Sequence, residues 1–341
     1  MFLGEENLKS VCVASLWLPL WLTLVSPGLA AAEQGAEVNQ KCLLLYSYHV
    51  GYAWNDAVDY GATQTLGESC TIRRFFLDSK RNPDPSYVRT KALEVKRLID
   101  RWSPDVIIAV DDNVSKYVVV PHLKEGKIPV IFCGVNWTTD EYGYPLPNMT
   151  GMVEVAPFDP LFHQVEKMLD GRLKHSKQKK LQVAMIDADR LTAHKQFDQI
   201  SFRYGHKMDF TAHYVANFSE WKQTFLQAQN ADLVVLMNYS GIQGWSQSEA
   251  ESFVKQHTST LSVSVHDWMK ELVTLVMAKE PEEQGEWAAV VAKMVLQGKP
   301  AESIPVVRNR RWKTYANRTL LRKVAMDLPE SVRERAIWVG H

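Results

Sequence analysis

The stretch CLLLYSYHVGYAWND, Cys42 to Asp56, contains the pattern that decides the fold. It opens on five apolar residues in a row, which is typical of a parallel strand covered on both faces. The residues that follow include three aromatic side chains and a histidine, whereas a simple reversing turn is built from Gly, Pro, Asn or Asp. Asn55 is a plausible cap for a helix, and Asp56 would complement its dipole. The stretch therefore predicts a strand, an aromatic loop and a helix.

The same alternation of apolar runs and helical spacing recurs along the chain. Further strands are predicted at 71–78, 106–110, 129–135, 181–187, 208–215, 232–238 and 261–267. Helices are predicted between and after them at 191–204, 219–229, 246–257, 268–279 and 284–297. Parallel strands joined by helices predict an α/β fold with two Rossmann-like lobes, each built on a parallel sheet, and a hinge between them.

The lobes are expected to occupy different parts of the chain. Lobe 1 is predicted at 41–148 and lobe 2 at 149–305, with a crossing segment near 136–157. Residues 306–341 are predicted to cross back to lobe 1 and to end in a helix.

The N-terminal residues 1–32 have the pattern of an export signal. Lys9 precedes 22 uncharged residues, Val11 to Ala32, and small residues precede Glu33 as in a cleavage site. An uncleaved anchor is the alternative, because about 20 apolar residues are enough to span a bilayer.

Charge and cysteine content exclude several classes of function. The 39 basic and 39 acidic residues balance, so no electrostatic footprint indicates a nucleic-acid partner. After cleavage Cys42, Cys70 and Cys133 remain, and their spacing matches no metal site. A bridge from Cys42 to Cys70 is conceivable if their strands are neighbours, but three buried thiols are the favoured interpretation. No metal or cofactor is expected.

Polar and aromatic side chains follow the predicted strands, where an open parallel sheet places its ligands. Their mixture of carboxylates, amides, hydroxyls and rings suits a small polar or zwitterionic ligand with a ring-bearing part. Helix capping, a structural histidine and core packing are the alternatives for individual members. The candidate ligand-binding residues are Ser47, His49, Tyr52, Trp54, Asp112, Asn113, Asn136, Asn238, Tyr239 and Asp267.

Four stretches, 47–61, 104–123, 128–137 and 317–336, resemble the substrate-binding proteins of ABC transporters in the periplasmic type I binding-protein superfamily. The likeness is greatest to the branch with aromatic-amino-acid binders and related sensor ectodomains. It implies two lobes that close over a solute in the periplasm. The residues that match the family's lobe-1 segments by position are Ser47, His49, Trp54, Asp112, Asn113 and Asn136.

The resemblance implies a monomeric binding protein that delivers a small molecule, such as an aromatic or other amino acid, to the membrane permease of an ABC importer. Docking to a sensor kinase or chemoreceptor is the alternative. An enzyme is not expected, because no GxSxG, HExxH, Walker or GxGxxG motif occurs at a strand–helix junction.

Overall fold

Two β-sheets with helices on their faces organise the chain. The structure is a computed structural model that describes residues 40–173 and 180–340. These residues belong to one compact unit, Val38–His341. The expected signal segment, 1–32, lies outside them.

The strands, in chain order, are β1 (Lys41–Tyr46), β2 (Thr71–Phe76), β3 (Val106–Val110), β4 (Val130–Asn136), β5 (Met149–Glu154), β6 (Leu181–Ala188), β7 (Met208–Val215), β8 (Leu233–Leu236), β9 (Ser262–Ser264), β10 (Leu275–Lys279), β11 (Val307–Arg308), β12 (Trp312–Asn317) and β13 (Ile337–Val339). The helices are α1 (Ala53–Leu66), α2 (Pro85–Trp102), α3 (Asp112–Val114), α4 (Val120–His122), α5 (Phe158–Leu173), α6 (Leu191–Tyr204), α7 (Phe218–Ala228), α8 (Gln247–His257), α9 (Pro281–Leu296), α10 (Arg318–Lys323) and α11 (Glu330–Arg333). A π-helical turn, Ser115–Val119, joins α3 to α4.

The first sheet has the strand order β11-β5-β4-β3-β1-β2, and all of its pairs are parallel. The second has the order β13-β12-β10-β9-β8-β6-β7 and is parallel except where β12 runs antiparallel to β10. The predicted two-lobed α/β class is confirmed.

Burial on both faces explains why β1 is apolar throughout. Leu43 and Leu45 pack with Val95 of α2 in one core cluster. Leu44 and Tyr46 face the opposite cluster, which α1 and α9 cover. Each side chain of the strand therefore enters a core, whichever way it points.

The chain crosses between the two sheets at three places in the described residues: after β5, after β10 and after β11. Asn309, on the third crossing, holds the first, because its side-chain amide accepts from the Val155 N–H at 2.7 Å and donates to the Val155 carbonyl at 3.1 Å. The Glu283 carboxylate, on α9, accepts from the N–H groups of Arg310 and Arg311 at 2.9 and 2.7 Å. The second and third crossings are thereby joined as well.

Sheet membership differs from the expected lobe boundaries in three places. Met149–Glu154 is a strand of the first sheet and not part of a crossing segment or of lobe 2, because it pairs with β4. Helix α9 packs on the first lobe against α1, where Gly285 lets the two helices approach closely. The last strands, Trp312–Asn317 and Ile337–Val339, join the second sheet and do not return to the first.

Two local predictions were wrong. The segment 268–279 contains strand β10, and its apolar residues are buried between β9 and β12. Asn55 does not cap α1, which begins two residues earlier and buries the Asn55 side chain.

Cys42 and Cys70 form a disulfide, so the favoured interpretation of three buried thiols was wrong. The parallel pairing of β1 with β2 brings the two Cα atoms to 5.9 Å, within the range that a disulfide bridges. Cys133 is free and buried.

Candidate functional site

A cavity of about 590 Å³ lies between the two lobes. Lobe 1 contributes residues that follow β3 and β4, and lobe 2 contributes the first turns of α6. The lining residues are Asp112, Asn113, Lys116, Asn136, Trp137, Thr138, Glu141, Tyr142, Glu154, Ala156, Thr192, Lys195, Gln196, Gln199, Val265, His266 and Lys279. We call it the first cavity.

Asp112 is the centre of the lobe-1 wall. Its carboxylate accepts from the Asn136 side-chain amide at 2.6 Å and from the Tyr142 hydroxyl at 2.8 Å. Asn113 next to it donates to the Ser79 hydroxyl at 2.9 Å. Two strand ends and the loop after β4 thus fix one carboxylate at the cavity surface.

Asp111, just behind this wall, has a strained backbone and a buried side chain. Its φ of 76° and ψ of 168° fall in a region that is essentially restricted to glycine and costs about 1–3 kcal/mol. Its carboxylate accepts from Tyr48 and from the Asn113 N–H. Burial, together with the charge of Asp112, raises the pKa of Asp111 to about 6. The strained residue turns the chain so that its two successors line the cavity.

We expect Asp111→Asn to change the pH dependence of stability. The folded-state pKa of Asp111 lies above the ordinary value near 4, so the protonated group stabilises the fold below about pH 4, and this contribution is lost as pH rises through about 6. Because one pKa unit corresponds to about 1.4 kcal/mol, the difference in unfolding free energy between wild type and variant should change by about 2–3 kcal/mol from pH 4 to pH 7. Urea unfolding at several pH values measures this difference. The exposed Asp100→Asn is the control, and a constant difference between wild type and Asp111→Asn would contradict the assignment.

An ion pair forms the floor of the first cavity. Glu154, at the end of β5, contacts the ammonium of Lys279, at the end of β10. Both residues precede a crossing segment, so the pair joins the two lobes at the hinge.

A second cavity of about 360 Å³ meets the first at Val265, His266 and Lys279. It is also bounded by both lobes, and aromatic rings dominate its walls. The lining residues are Tyr52, Ala53, Trp54, Ala57, Val265, His266, Asp267, Trp268, Ala278, Lys279, Pro281, Glu282, Lys313 and Tyr315.

Two contacts position the rings of the second cavity. Trp54 lies against Gly134, at the place where a side chain would otherwise stand. His266 stacks on Trp268 with 4.4 Å between ring centroids. Burial and the nearby Arg190 lower the pKa of His266 to about 4, so this imidazole is neutral at pH 7.

Six of the ten candidate residues line one of these cavities. Asp112, Asn113 and Asn136 line the first, and the others line the second, namely Tyr52, Trp54 and Asp267.

The other four candidates lie outside both cavities because their side chains are engaged elsewhere. Ser47 is fully buried and bonds to the Val110 carbonyl and the Val114 N–H. His49 faces Asp78 at 3.5 Å.

In lobe 2, Asn238 accepts from the Ser240 N–H within its own turn. Tyr239 stacks on Trp245 at 4.6 Å and thereby packs on the lobe-2 core. Neither side chain reaches the space between the lobes.

Several lining residues were missed for identifiable reasons. Glu154 and Lys279 lie in the two segments whose strands were not predicted. Helix α6 was predicted correctly, and the polar spacing of Thr192, Lys195 and Gln199, three and four residues apart, was the signal that could have shown its cavity face.

Two structural searches of residues 40–173 and 180–340 gave negative results. No helix there is long and apolar enough to cross a membrane. No group of three or more His, Cys, Asp or Glu side chains there could hold a metal ion.

Comparison with solved structures identifies the architecture. A ligand-free, open substrate-binding protein with adhesive properties from Clostridium difficile superposes with a TM-score of 0.65, covering 88% of this chain and 99% of that chain at 13% identity. The chain has the fold of type I periplasmic binding proteins. The expected resemblance is confirmed at the level of this type I fold.

Two further proteins with this fold show how varied the recorded ligands are. An ABC domain from Streptococcus pneumonia, in complex with L-Trp, matches with a TM-score of 0.56 and 14% identity over 88% of this chain and 99% of that chain. An ABC transporter solute-binding protein from a Bradyrhizobium species, with bound bis-tris, matches with a TM-score of 0.53 and 14% identity over 80% and 81%. No protein-family model and no curated protein sequence matches the chain.

Proposed function

We propose that this protein is a periplasmic solute-binding protein that holds a small molecule between its lobes and delivers it to the permease of an ABC importer. The observation that carries the proposal is the first cavity, because lobe-1 and lobe-2 side chains line it together. Its volume lies within the range of about 300–1,000 Å³ for small-molecule sites. The solved proteins with the same fold include solute-binding proteins of ABC transporters, which supports this function.

The cavity position also supports closure of the lobes on the solute. A ligand stabilises a closed form only to the extent that it binds that form better than the open one. A solute that touches Asp112 and Asn136 of lobe 1 and Gln196 of lobe 2 gains its second set of contacts only when the lobes approach.

The charges in the first cavity support an amino acid as the solute. Apart from the Glu154–Lys279 pair, acidic Asp112 and Glu141 and basic Lys116 and Lys195 line the space. Groups of both signs suit a zwitterion. The rings of the adjoining second cavity make a ring-bearing amino acid the first candidate.

A thermal-shift screen of the purified protein over amino acids, nucleobases, sugars and small carboxylates tests the proposal. A solute at 100 times its dissociation constant should stabilise the fold by about 2.7 kcal/mol and raise the melting temperature. Asp112→Asn should weaken the response, and Asp100→Asn, an exposed position outside both cavities, should retain it. Silence across the whole library would contradict a solute-binding function, and turnover of a bound solute would show an enzyme instead.

A further inference from the structure

The second cavity offers aromatic faces from both lobes. Trp54 comes from lobe 1 and Trp268 from lobe 2. The other two rings have a lysine against a face: Lys80 Nζ lies 5.6 Å from the Tyr52 centroid and Lys270 Nζ 5.4 Å from that of Tyr315. The two tryptophans are therefore the rings left for a ligand, and His266 covers only one face of Trp268.

The charges around these rings are unevenly matched. Lys279 is paired with Glu154, and Lys313 lies 3.4 Å from Glu282. Asp267 forms no ion pair among the residues that the structure describes, and it is exposed to solvent between the lobes. The neutral His266 beside it adds no positive charge at pH 7.

Lobe closure would strip water from Asp267. A buried carboxylate without a partner is costly, and a neutral ring in the cavity would supply no charge to offset that cost. A positively charged group would pair with the carboxylate and would also be attracted to the tryptophan faces, where tryptophan is the strongest aromatic partner for a cation.

We propose that the second cavity binds an organic cation, such as a methylated ammonium group, between Trp54 and Trp268 with Asp267 as its counter-ion. The inference rests on the proposed solute-binding function and refines it. It shifts the preferred amino-acid solute from one with a neutral ring to one that carries a second, positively charged group.

Choline and its uncharged isostere 3,3-dimethylbutan-1-ol are the probes that test this proposal. Both have the same shape, so calorimetry on the full-length protein isolates the effect of charge. We expect choline to bind at least tenfold more tightly than the isostere. Trp268→Leu and Asp267→Asn should each weaken choline binding at least tenfold.

Trp312→Leu is the matched control, because Trp312 is similarly exposed and does not line the second cavity. Trp268 is 44% exposed, so its replacement should leave the melting temperature without ligand nearly unchanged. Equal binding of the two probes, unchanged choline affinity in Trp268→Leu, or absence of choline binding would each overturn the proposal. If another solute then stabilised the same sample, the proposed function would stand, whereas silence with every solute would contradict both.

Discussion

Replacing both Cys42 and Cys70 with alanine is expected to lower the free energy of unfolding by about 3–4 kcal/mol. The disulfide joins residues 28 positions apart, and the chain-entropy relation gives about this value for a loop of such length. The bridge also ties β1, the central strand next to β3, to the edge strand β2. Urea unfolding of the double variant and the wild type under oxidising conditions measures the loss.

Reduction provides the internal control. A reductant should bring the wild type down to the stability of the double variant and should leave the variant unchanged. Cys133 does not interfere, because it is fully buried and burial raises the pKa of its thiol. Equal stability of the wild type and the variant under oxidising conditions would show that the bond is not formed in solution.

Gly134→Ala should destabilise the fold by about 3–4 kcal/mol and abolish solute binding. Gly134 has a φ of +71°, which costs a residue with a side chain about 1–2 kcal/mol. A Cβ here would lie 2.4 Å from the Trp54 ring, and relieving such an overlap costs about 1–3 kcal/mol more. The ring that has to move is a wall of the second cavity, so stability and binding should fall together.

Gly67→Ala is the control that separates backbone strain from the overlap. Gly67 also has a positive φ, +52°, but a Cβ there would have no atom within 4 Å. It should lose about 1–2 kcal/mol and keep solute binding. Thermal unfolding and calorimetry on both variants measure the two effects, and unimpaired binding by Gly134→Ala would show that the Trp54 position is unimportant.

Strands of the central sheets were predictable because burial on both faces leaves a local signature. Val106–Val110 is apolar at every position and was predicted with correct bounds. Leu275–Lys279 is equally buried, but the run of polar and apolar residues before it has helical spacing, and only its pairing with β9 and β12 shows a strand. Short apolar runs do not distinguish the two structures by themselves.

The candidate site was predictable only where it follows a strand closely. Asp112 and Asn136 lie at the ends of β3 and β4, and the rule for parallel sheets found them. Asn238 and Tyr239 satisfy the same rule but are held in a local turn and a stacked ring pair. The Cys42–Cys70 bond depended on strand order, which apolar runs do not specify.

The hydrogen bonds between the crossing segments determine how the lobes can move. Asn309 grips Val155 at both its N–H and its carbonyl, and Glu283 grips the two arginines that follow. Linked in this way, the three connectors should behave as one flat strap, which bends along its length more readily than it shears. We expect the swing of one half against the other to follow a single axis, so that both chambers open and shut in step.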